Sequence, residues 1–540
     1  MEVVLVGLPG SGKSALGKRL AERHGVPFVD LDAAIEAAAA RPIGDIFAQE
    51  GEAAFRAREA GAIVDLGPAD RSPGIQRVVA SGGGAIVEPR NRWRLFRDRR
   101  VIWLDAPAER LAQRVRHGPV RPLLCGRDPV DALEALRERR ARFYAAGTRL
   151  VADGSRTTGL EAIEQLLAED QEAGTRLLRA QTPIGCWELG AGHAASASRQ
   201  QIRALGSPRV AVVSEPVAWR LHGERLARSL GEAGCDVEHV LVRRGERAKT
   251  LRGLEMVVRA LAERRFERRD AVLALGGGAV GDVAGFGAAV YLRGVPLIHV
   301  PTTLAAQLDS SIGGKTAIDL PEGKNLVGAF HQPRAIVTDL ELLASLPARE
   351  RRAALGEAVK MAALGDEQLF GLLEREGAAI AEGGPDAFES GAVAELVERC
   401  AWAKIEIVLA DEREDDRRMA LNLGHSIGHA IEAAAGYRGI LHGEAVAYGL
   451  RGALAVGQSV GVTPRDRAER IESLLASLDL GREPLTLAAA GVRHHLAADK
   501  KHRDGRLQWV LATGDGITVS DRVADSAVEA GIAAALAGAR

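Results

Sequence analysis

Cysteine is scarce: four residues in 540, Cys125, Cys186, Cys235 and Cys400, widely spaced and with no C-x-x-C pair. That excludes a disulfide framework and a thiolate zinc site, so any metal must use histidine and carboxylate ligands, and it fits a reducing compartment. Charge of one sign is lacking too. Lys and Arg number 71 against 72 Asp and Glu, a formal net charge of -1, which leaves no global field for nucleic acid or an anionic membrane and favours small-molecule substrates. No basic stretch precedes the opening MEVVLVGLPGSGKS, which runs straight into a glycine-rich loop; we therefore expect no cleaved leader and a cytoplasmic location. Nor does any run read as a membrane span. Residues 271–292 are apolar, but a glycine triplet and Asp282 interrupt them, as in a buried strand, turn and helix.

The length implies about three domains. Short apolar runs at Val3 to Val6, Val78 to Ala80 and Val101 to Leu104 alternate with amphipathic stretches, the α/β signature. Amphipathic sequence continues through Leu160 to Leu178, and Thr182-Pro183-Ile184-Gly185 breaks it. Strand-like runs recur at Arg209 to Val213, Val237 to Val242, Ala271 to Leu275 and Leu297 to Val300, a second parallel α/β unit. From about Leu346 the spacing is helical, closing with a hairpin around Leu507 to Val519. The expected organisation is a P-loop domain over 1–172, a linker over 173–182, an α/β cofactor domain over 183–345 and a mainly helical domain over 346–540. No 20 to 50-residue repeat is found.

The first motif is Gly7-Leu8-Pro9-Gly10-Ser11-Gly12-Lys13-Ser14 directly after the strand VVLV. In such a loop the backbone N–H groups, including those at Gly10 and Gly12, wrap phosphates, Lys13 reaches the outer phosphates and Ser14 can ligate Mg²⁺. Asp30 and Asp32, then Arg56 in GEAAFRARE, then Ser81-Gly82-Gly83-Gly84, then Arg121-Pro122-Leu123-Leu124 follow in order. Taken singly, the two aspartates read equally well as helix caps and Arg56 as a solvated charge. Together they make about the first 170 residues resemble shikimate kinase. The resemblance implies ATP with Mg²⁺ as cosubstrate, Asp30 in the Mg²⁺ shell, Asp32 and Gly83 on the hydroxyls of shikimate, and Arg56 and Arg140 on its carboxylate. Arg121 would neutralise the transferring phosphoryl group from a lid. Where the family often has E-R-x-P-L-Y this chain has Arg139-Arg140-Ala141-Arg142-Phe143-Tyr144; counting back from the tyrosine selects Arg140, with Arg139 and Arg142 as neighbours.

The second constellation begins at Gly276-Gly277-Gly278-Ala279-Val280-Gly281-Asp282, a G-x-G-x-x-G pattern after a strand, which lets backbone approach a pyrophosphate. No carboxylate follows at the usual spacing, so it is not an ordinary first Rossmann turn. Lys315 and Lys324 stand in glycine-flanked loops beside it, where a phosphorylated, carboxylated substrate would need cations. His425 and His429 are four apart, His442 lies close behind, and Glu357 is upstream. A carboxylate with two histidines and an open position is a catalytic zinc set; the spacing does not say which two of the three histidines bind.

From about 181 to 540 the chain resembles 3-dehydroquinate synthase, through GERAK, GGGAVGD, PTTLAAQLDS, GGKTAI, GKNLVGAFHQP, GEAVK, LNLGHSIGH and LHGEAVA. The resemblance implies a Rossmann-like α/β NAD domain followed by a mainly helical metal and substrate domain, fused here behind an α/β P-loop kinase domain with a parallel sheet like that of nucleoside monophosphate kinases. It implies zinc, with cobalt as a substitute, on Glu357, His425 and His442, and His429 facing substrate or backing the ligands. NAD would meet Glu246, Lys249, Gly277, Gly278, Asp282, Thr302, Thr303 and Lys324. Lys315, Asn325, Lys360, Lys404, Arg418 and Asn422 would surround the substrate with Lys500 or Lys501, and Asp309 would lie near the reacting centre. Where the family often carries Asp after the first strand of this unit, for the adenosine ribose, this chain has Glu215. The family reaction oxidises C5 of 3-deoxy-D-arabino-heptulosonate 7-phosphate, eliminates phosphate, returns the hydride and closes the carbocycle, so net redox is zero. A homodimer through this half is a family-based expectation. The rival readings are a zinc- or iron-dependent polyol dehydrogenase or another sugar-phosphate cyclase for the second half, and a P-loop module that regulates or phosphorylates another polyol for the first.

Overall fold

The computed structural model describes residues 1–116, 128–151, 156–168, 174–414, 416–497, 502–503 and 506–539. Arg121, Cys125, Lys500 and Lys501 lie outside the described residues. The chain divides into two compact units, residues 1–182 with 186–197, and residues 183–185 with 198–540.

The first unit is built on β1 (Glu2–Val6), β2 (Phe28–Asp30), β3 (Arg77–Ala80), β4 (Arg99–Asp105) and β5 (Thr148–Val151) in the order β2-β3-β1-β4-β5, every pairing parallel. β1 is buried along its whole length, as expected of a central parallel strand covered on both faces. Leu16, Leu20, Leu160 and Ile163 from helices Lys13–His24 and Arg156–Ala168 pack with Val3, Leu5, Val78 and Ile102. The order reverses at β1, so the loops leaving β1 and β3 open a crevice at the carboxyl ends of the strands, where ligands of open α/β sheets bind. The helical reading through Leu178 gives way: the helix is described over Arg156–Ala168, and β6 (Thr175–Thr182) and β7 (Gly185–Ala191) occupy the expected linker and its sequel. The side chains of β6 alternate only weakly with burial, which is why its strand character was hidden.

In the second unit β8 (Arg209–Ser214), β9 (Asp236–Leu241), β10 (Ala271–Gly276), β11 (Leu297–Pro301) and β14 (Ala335–Asp339) run parallel in the order β14-β11-β10-β8-β9. Between the last two in sequence lies an antiparallel hairpin of β12 (Lys315–Leu320) and β13 (Gly323–Phe330). Lys315 and Lys324 therefore sit on strands rather than in loops: Thr316, Ala317 and Ile318 are buried and anchor β12 against helix Gly278–Val290, where a Cβ at Gly285 would stand 2.4 Å from Thr316 Cγ2. Beyond Leu346 the unit is mainly helical; the hairpin of Trp509–Ala512 and Ile517–Ser520 does not close it, because a last helix, Asp525–Ala537, follows and buries Val528, Ile532 and Ala535. Three of its helices, Ala348–Ala363, His425–Ala434 and His442–Ser459, meet almost backbone to backbone. A Cβ at Gly443 would lie 1.8 Å from the Ala353 carbonyl oxygen, and one at Gly449 would lie 1.9 Å from that of Gly424.

Candidate functional sites

In the first unit the loop after β1 turns with Gly10 and Gly12 at φ +83° and +93°, and Gly12 leads directly into helix Lys13–His24. The helix N-terminus thus points into the crevice with Ser14 in the first turn. Lys13 Nζ donates to the Gly7 and Leu8 carbonyls at 2.8 and 3.2 Å, folded over its own loop. Asp30 ends β2, and its Oδ1 accepts from the N–H groups of Asp32 and Ala33 at 3.1 and 3.3 Å. It is a helix cap, as one of the two sequence readings had it.

The glycine triplet is a cradle. A Cβ at Gly82 would lie 2.6 Å from Asp32 Oδ1, at Gly83 3.2 Å from Pro9 Cδ, and at Gly84 2.8 Å from Arg56 Nη1, so the bare backbone lets Asp32, Pro9 and Arg56 close in on the triplet. Arg56 is braced by Glu59 at 2.7 Å and Glu52 at 3.0 Å. Glu59, only 2 % exposed, was not foreseen, although its spacing of three from Arg56 on one helix was readable. Burial lifts the Glu59 carboxyl above its usual range, against the pull of Arg56. Of the three candidate arginines, Arg140 is the buried one and donates to the Gly83 carbonyl at 2.7 Å, as Tyr144 Oη does. Arg139 turns back to the Ala135 carbonyl and Arg142 stacks on Phe143.

In the second unit a cavity of about 820 Å³ is lined by Glu215, Glu246, Lys249, Gly277, Gly278, Asp282, Thr302, Thr303, Asp309, Lys324, Asn325, Glu357, His429, Glu432 and His442, among others. Gly277 caps helix Gly278–Val290 at the end of β10, and a Cβ at Gly278 would crowd Ser310 Oγ at 2.8 Å. Lys249, buried, lies 2.7 Å from Asp282, 3.8 Å from Asp319 and 3.9 Å from Glu246, and also hydrogen-bonds Asn325. Glu215 Oε1 accepts from the Ala218 N–H at 3.2 Å, while its buried Oε2 has no hydrogen-bond partner in the protein.

The metal-type residues converge. Glu357 Oε1 lies 3.4 Å from His425 Nε2 and 3.1 Å from His442 Nε2. Ligands around 2.0–2.1 Å from a tetrahedral zinc stand about 3.3 Å apart, so these spacings already match. The other ring nitrogens are engaged: His425 Nδ1 meets the Leu423 carbonyl at 3.1 Å and His442 Nδ1 meets Glu432 Oε2 at 3.1 Å. With Nδ1–H donating in both rings, two Nε2 lone pairs face Glu357 Oε1 while Lys360 Nζ takes the other oxygen at 2.6 Å; two lone pairs aimed at one carboxylate oxygen call for a cation between them. The donor set fits zinc. His429 is close enough to keep a place in the cluster, all three histidines offering nitrogens within 4.8 Å of one another. Among the residues missed by sequence, Glu432 stands out: with His425 and His429 it lies at i, i+4 and i+7 on one helix face.

Around this centre Lys360 contacts Glu357 at 2.6 Å and Asp309 at 3.7 Å, and Lys404 reaches the Asp309 carboxylate at 2.9 Å. Burial brings the Lys404 ammonium down to about 8, against the attraction of Asp309. Lys315 pairs with Glu414, which also accepts from Asn422 Nδ2 at 2.7 Å, and Arg418 donates to the Gly313 carbonyl at 3.0 Å. Glu414, at φ +67°, had carried no sequence signal.

A family model described as shikimate kinase matches residues 9–171, and models described as the N- and C-terminal parts of 3-dehydroquinate synthase match 239–353 and 354–502. The 3-dehydroquinate synthase of Rhodospirillum rubrum is 44 % identical over 330 residues, 60 % of this chain and 84 % of that relative. Among solved structures, 2-epi-5-epi-valiolone synthase of Streptomyces hygroscopicus with NAD⁺ and Zn²⁺ bound is 29 % identical, covering 61 % of this chain and 90 % of that one at a TM-score of 0.56. A 2-deoxy-scyllo-inosose synthase complexed with carbaglucose-6-phosphate, NAD⁺ and Co²⁺ is 26 % identical, covering 66 % and 99 % at a TM-score of 0.59. These matches do not favour a polyol dehydrogenase. No helix among the described residues is long and apolar enough to cross a membrane.

Proposed function

The chain belongs to the 3-dehydroquinate synthase family and carries a shikimate kinase domain ahead of that unit, and from this premise we propose how its residues divide the work of two sites. The protein is a bifunctional shikimate-pathway enzyme. Its first unit transfers a phosphoryl group from ATP to shikimate, and its second converts 3-deoxy-D-arabino-heptulosonate 7-phosphate to 3-dehydroquinate and phosphate.

In the kinase site Lys13 exchanges the Gly7 and Leu8 carbonyls for phosphate oxygens of ATP, and Ser14 holds Mg²⁺, with Asp30 contributing through the carboxylate oxygen not used for capping. Asp32 accepts from the reacting hydroxyl. Arg56, aimed by Glu59, and Arg140, anchored on Gly83, grip the carboxylate. Arg121 keeps the lid role that the family resemblance implies.

In the synthase site Glu357, His425 and His442 hold the metal, and Glu246, Lys249, Asp282, Thr302, Thr303 and Lys324 bind NAD, with Glu215 on the ribose through Oε2. When bound, zinc or cobalt polarises the reacting hydroxyl and NAD⁺ accepts and returns a hydride. Lys360 and Lys404 hold Asp309 beside the reacting carbons, Lys315, Arg418 and Asn422 take the anionic groups, with Lys500 and Asn325 completing the shell, and His429 relays a proton. A cytoplasmic homodimer is part of the proposal. The observation that carries it is the meeting of two imidazole Nε2 atoms on Glu357 in the same cavity as Lys249 and Asp282. The test is phosphate release from the heptulosonate phosphate with and without NAD⁺ and chelator. Release that needs both NAD⁺ and metal while NADH absorbance stays flat supports it; steady NADH accumulation without phosphate refutes it.

A further inference from the structure

Lys324 and His442 share one carboxylate. Glu432, 4 % exposed, meets His442 Nδ1 through Oε2 at 3.1 Å and Lys324 Nζ through Oε1 at 3.1 Å. On the far side, His442 Nε2 belongs to the metal cluster and Lys324 stands 3.5 Å from Glu246. Lys324 is also covered by the Tyr437 ring at 4.7 Å, and that residue is fixed at φ +57° by its N–H donating to the Glu432 carbonyl oxygen at 2.8 Å. All five residues line the one cavity.

We propose that Glu432 couples the two cofactors, so that zinc and NAD⁺ bind the second unit cooperatively. The proposal rests on the reading of this cavity as a joint metal and NAD site. A cation on Nε2 withdraws electron density from the imidazole and makes Nδ1–H a stronger donor, which draws the Glu432 charge toward His442. Lys324 is then less neutralised and attracts an anionic pyrophosphate more strongly. In the other direction, a pyrophosphate beside Lys324 releases Glu432 to His442 and makes that ring a better ligand. Linkage requires the two effects to be equal in size. Glu432 is a positioning residue here, since it acts through His442 and Lys324.

The experiment uses the full chain and reads binding rather than turnover. NAD⁺ affinity is measured by calorimetry on chelator-stripped and zinc-saturated protein, and zinc affinity by competition with a chromogenic chelator, with and without NAD⁺. We expect NAD⁺ to bind about tenfold tighter when zinc is present, within the usual range of such couplings, and zinc to gain the same factor from NAD⁺. In Glu432→Gln and in Lys324→Met both ratios fall to about one while zinc still binds. Either variant suffices if the other does not fold. Ratios of one in the unaltered chain, or a ratio that persists in both variants, overturn the coupling and leave the site reading standing. A chain that binds neither zinc nor NAD⁺ overturns both.

Discussion

Gly443→Ala should abolish tight zinc binding by moving a ligand that it does not touch. The new Cβ would lie 1.8 Å from the Ala353 carbonyl oxygen, and the reciprocal position, Gly356, has its own ideal Cβ 2.2 Å from the Gly443 carbonyl. Both partners are backbone, so no side chain can swing away. Reaching an ordinary carbon–oxygen contact requires the helices to separate by about 1.5 Å. Glu357 and His442 are the immediate neighbours of Gly356 and Gly443, and they now stand 3.1 Å apart. Zinc–ligand distances tolerate about 0.2 Å, so a shift several times larger breaks the set. We expect zinc affinity to fall by at least about 100-fold, beyond the usual loss on mutating a ligand's supporting partner. The accompanying stability cost is about 1–3 kcal/mol for overpacking. The assay is chelator competition with a thermal melt on the same sample, and shikimate phosphorylation reports that the first unit is intact. Gly457→Ala is the control: its Cβ would meet Thr463 Oγ1 at 2.0 Å, away from the ligands, and it should destabilise while leaving zinc affinity unchanged. A folded Gly443→Ala chain that binds zinc as tightly as the unaltered one refutes the reasoning.

Arg140→Lys keeps the charge but loses the planar fork that reaches Gly83, and shikimate KM should rise by about tenfold or more; Arg139→Lys should change nothing, as steady-state kinetics would show. Glu2 is held below its ordinary carboxyl range because hydrogen bonds from Arg77 and Arg99 outweigh the opposing effect of burial. Its stabilisation is therefore complete above the unfolded value of 4.5 and is lost as pH falls through the lower folded value. The melting-temperature gap between the unaltered chain and Glu2→Gln should be wide at neutral pH and narrow progressively below 4.5; a gap that does not vary with pH would contradict this. Glu414 pairs with Lys315 and accepts from Asn422, the groups proposed to take a substrate anion. Glu414→Gln should lower KM for the heptulosonate phosphate and strengthen inhibition by inorganic phosphate, and unchanged constants for both would contradict that placement.

Much of both sites was legible because local chemistry dictates it. The P-loop needs its glycines at left-handed φ, Val3 to Val6 of β1 and the whole of β10 are unbroken apolar runs, and His425 and His429 share a helix face. What escaped depends on contacts distant in sequence. Glu432 looks like any helix carboxylate until His442 and Lys324 arrive on it, and Gly356 and Gly443 look like poor helix formers until two backbones meet there. The glycines flanking Lys315 and Lys324 signal loops, yet the buried face of β12 makes the segment a hairpin. Asp30 had two readings, and its hydrogen bonds to Asp32 and Ala33 make it a cap whatever else it does.

Two independent chemistries in one chain is the central claim, and separation of function tests it most directly. Lys13→Met and Glu357→Gln would each be assayed for both phosphorylation of shikimate and phosphate release from 3-deoxy-D-arabino-heptulosonate 7-phosphate. The account predicts that Lys13→Met loses the first reaction and keeps the second, and that Glu357→Gln does the reverse. Loss of both reactions in either folded variant, or retention of phosphate release in Glu357→Gln, would contradict it.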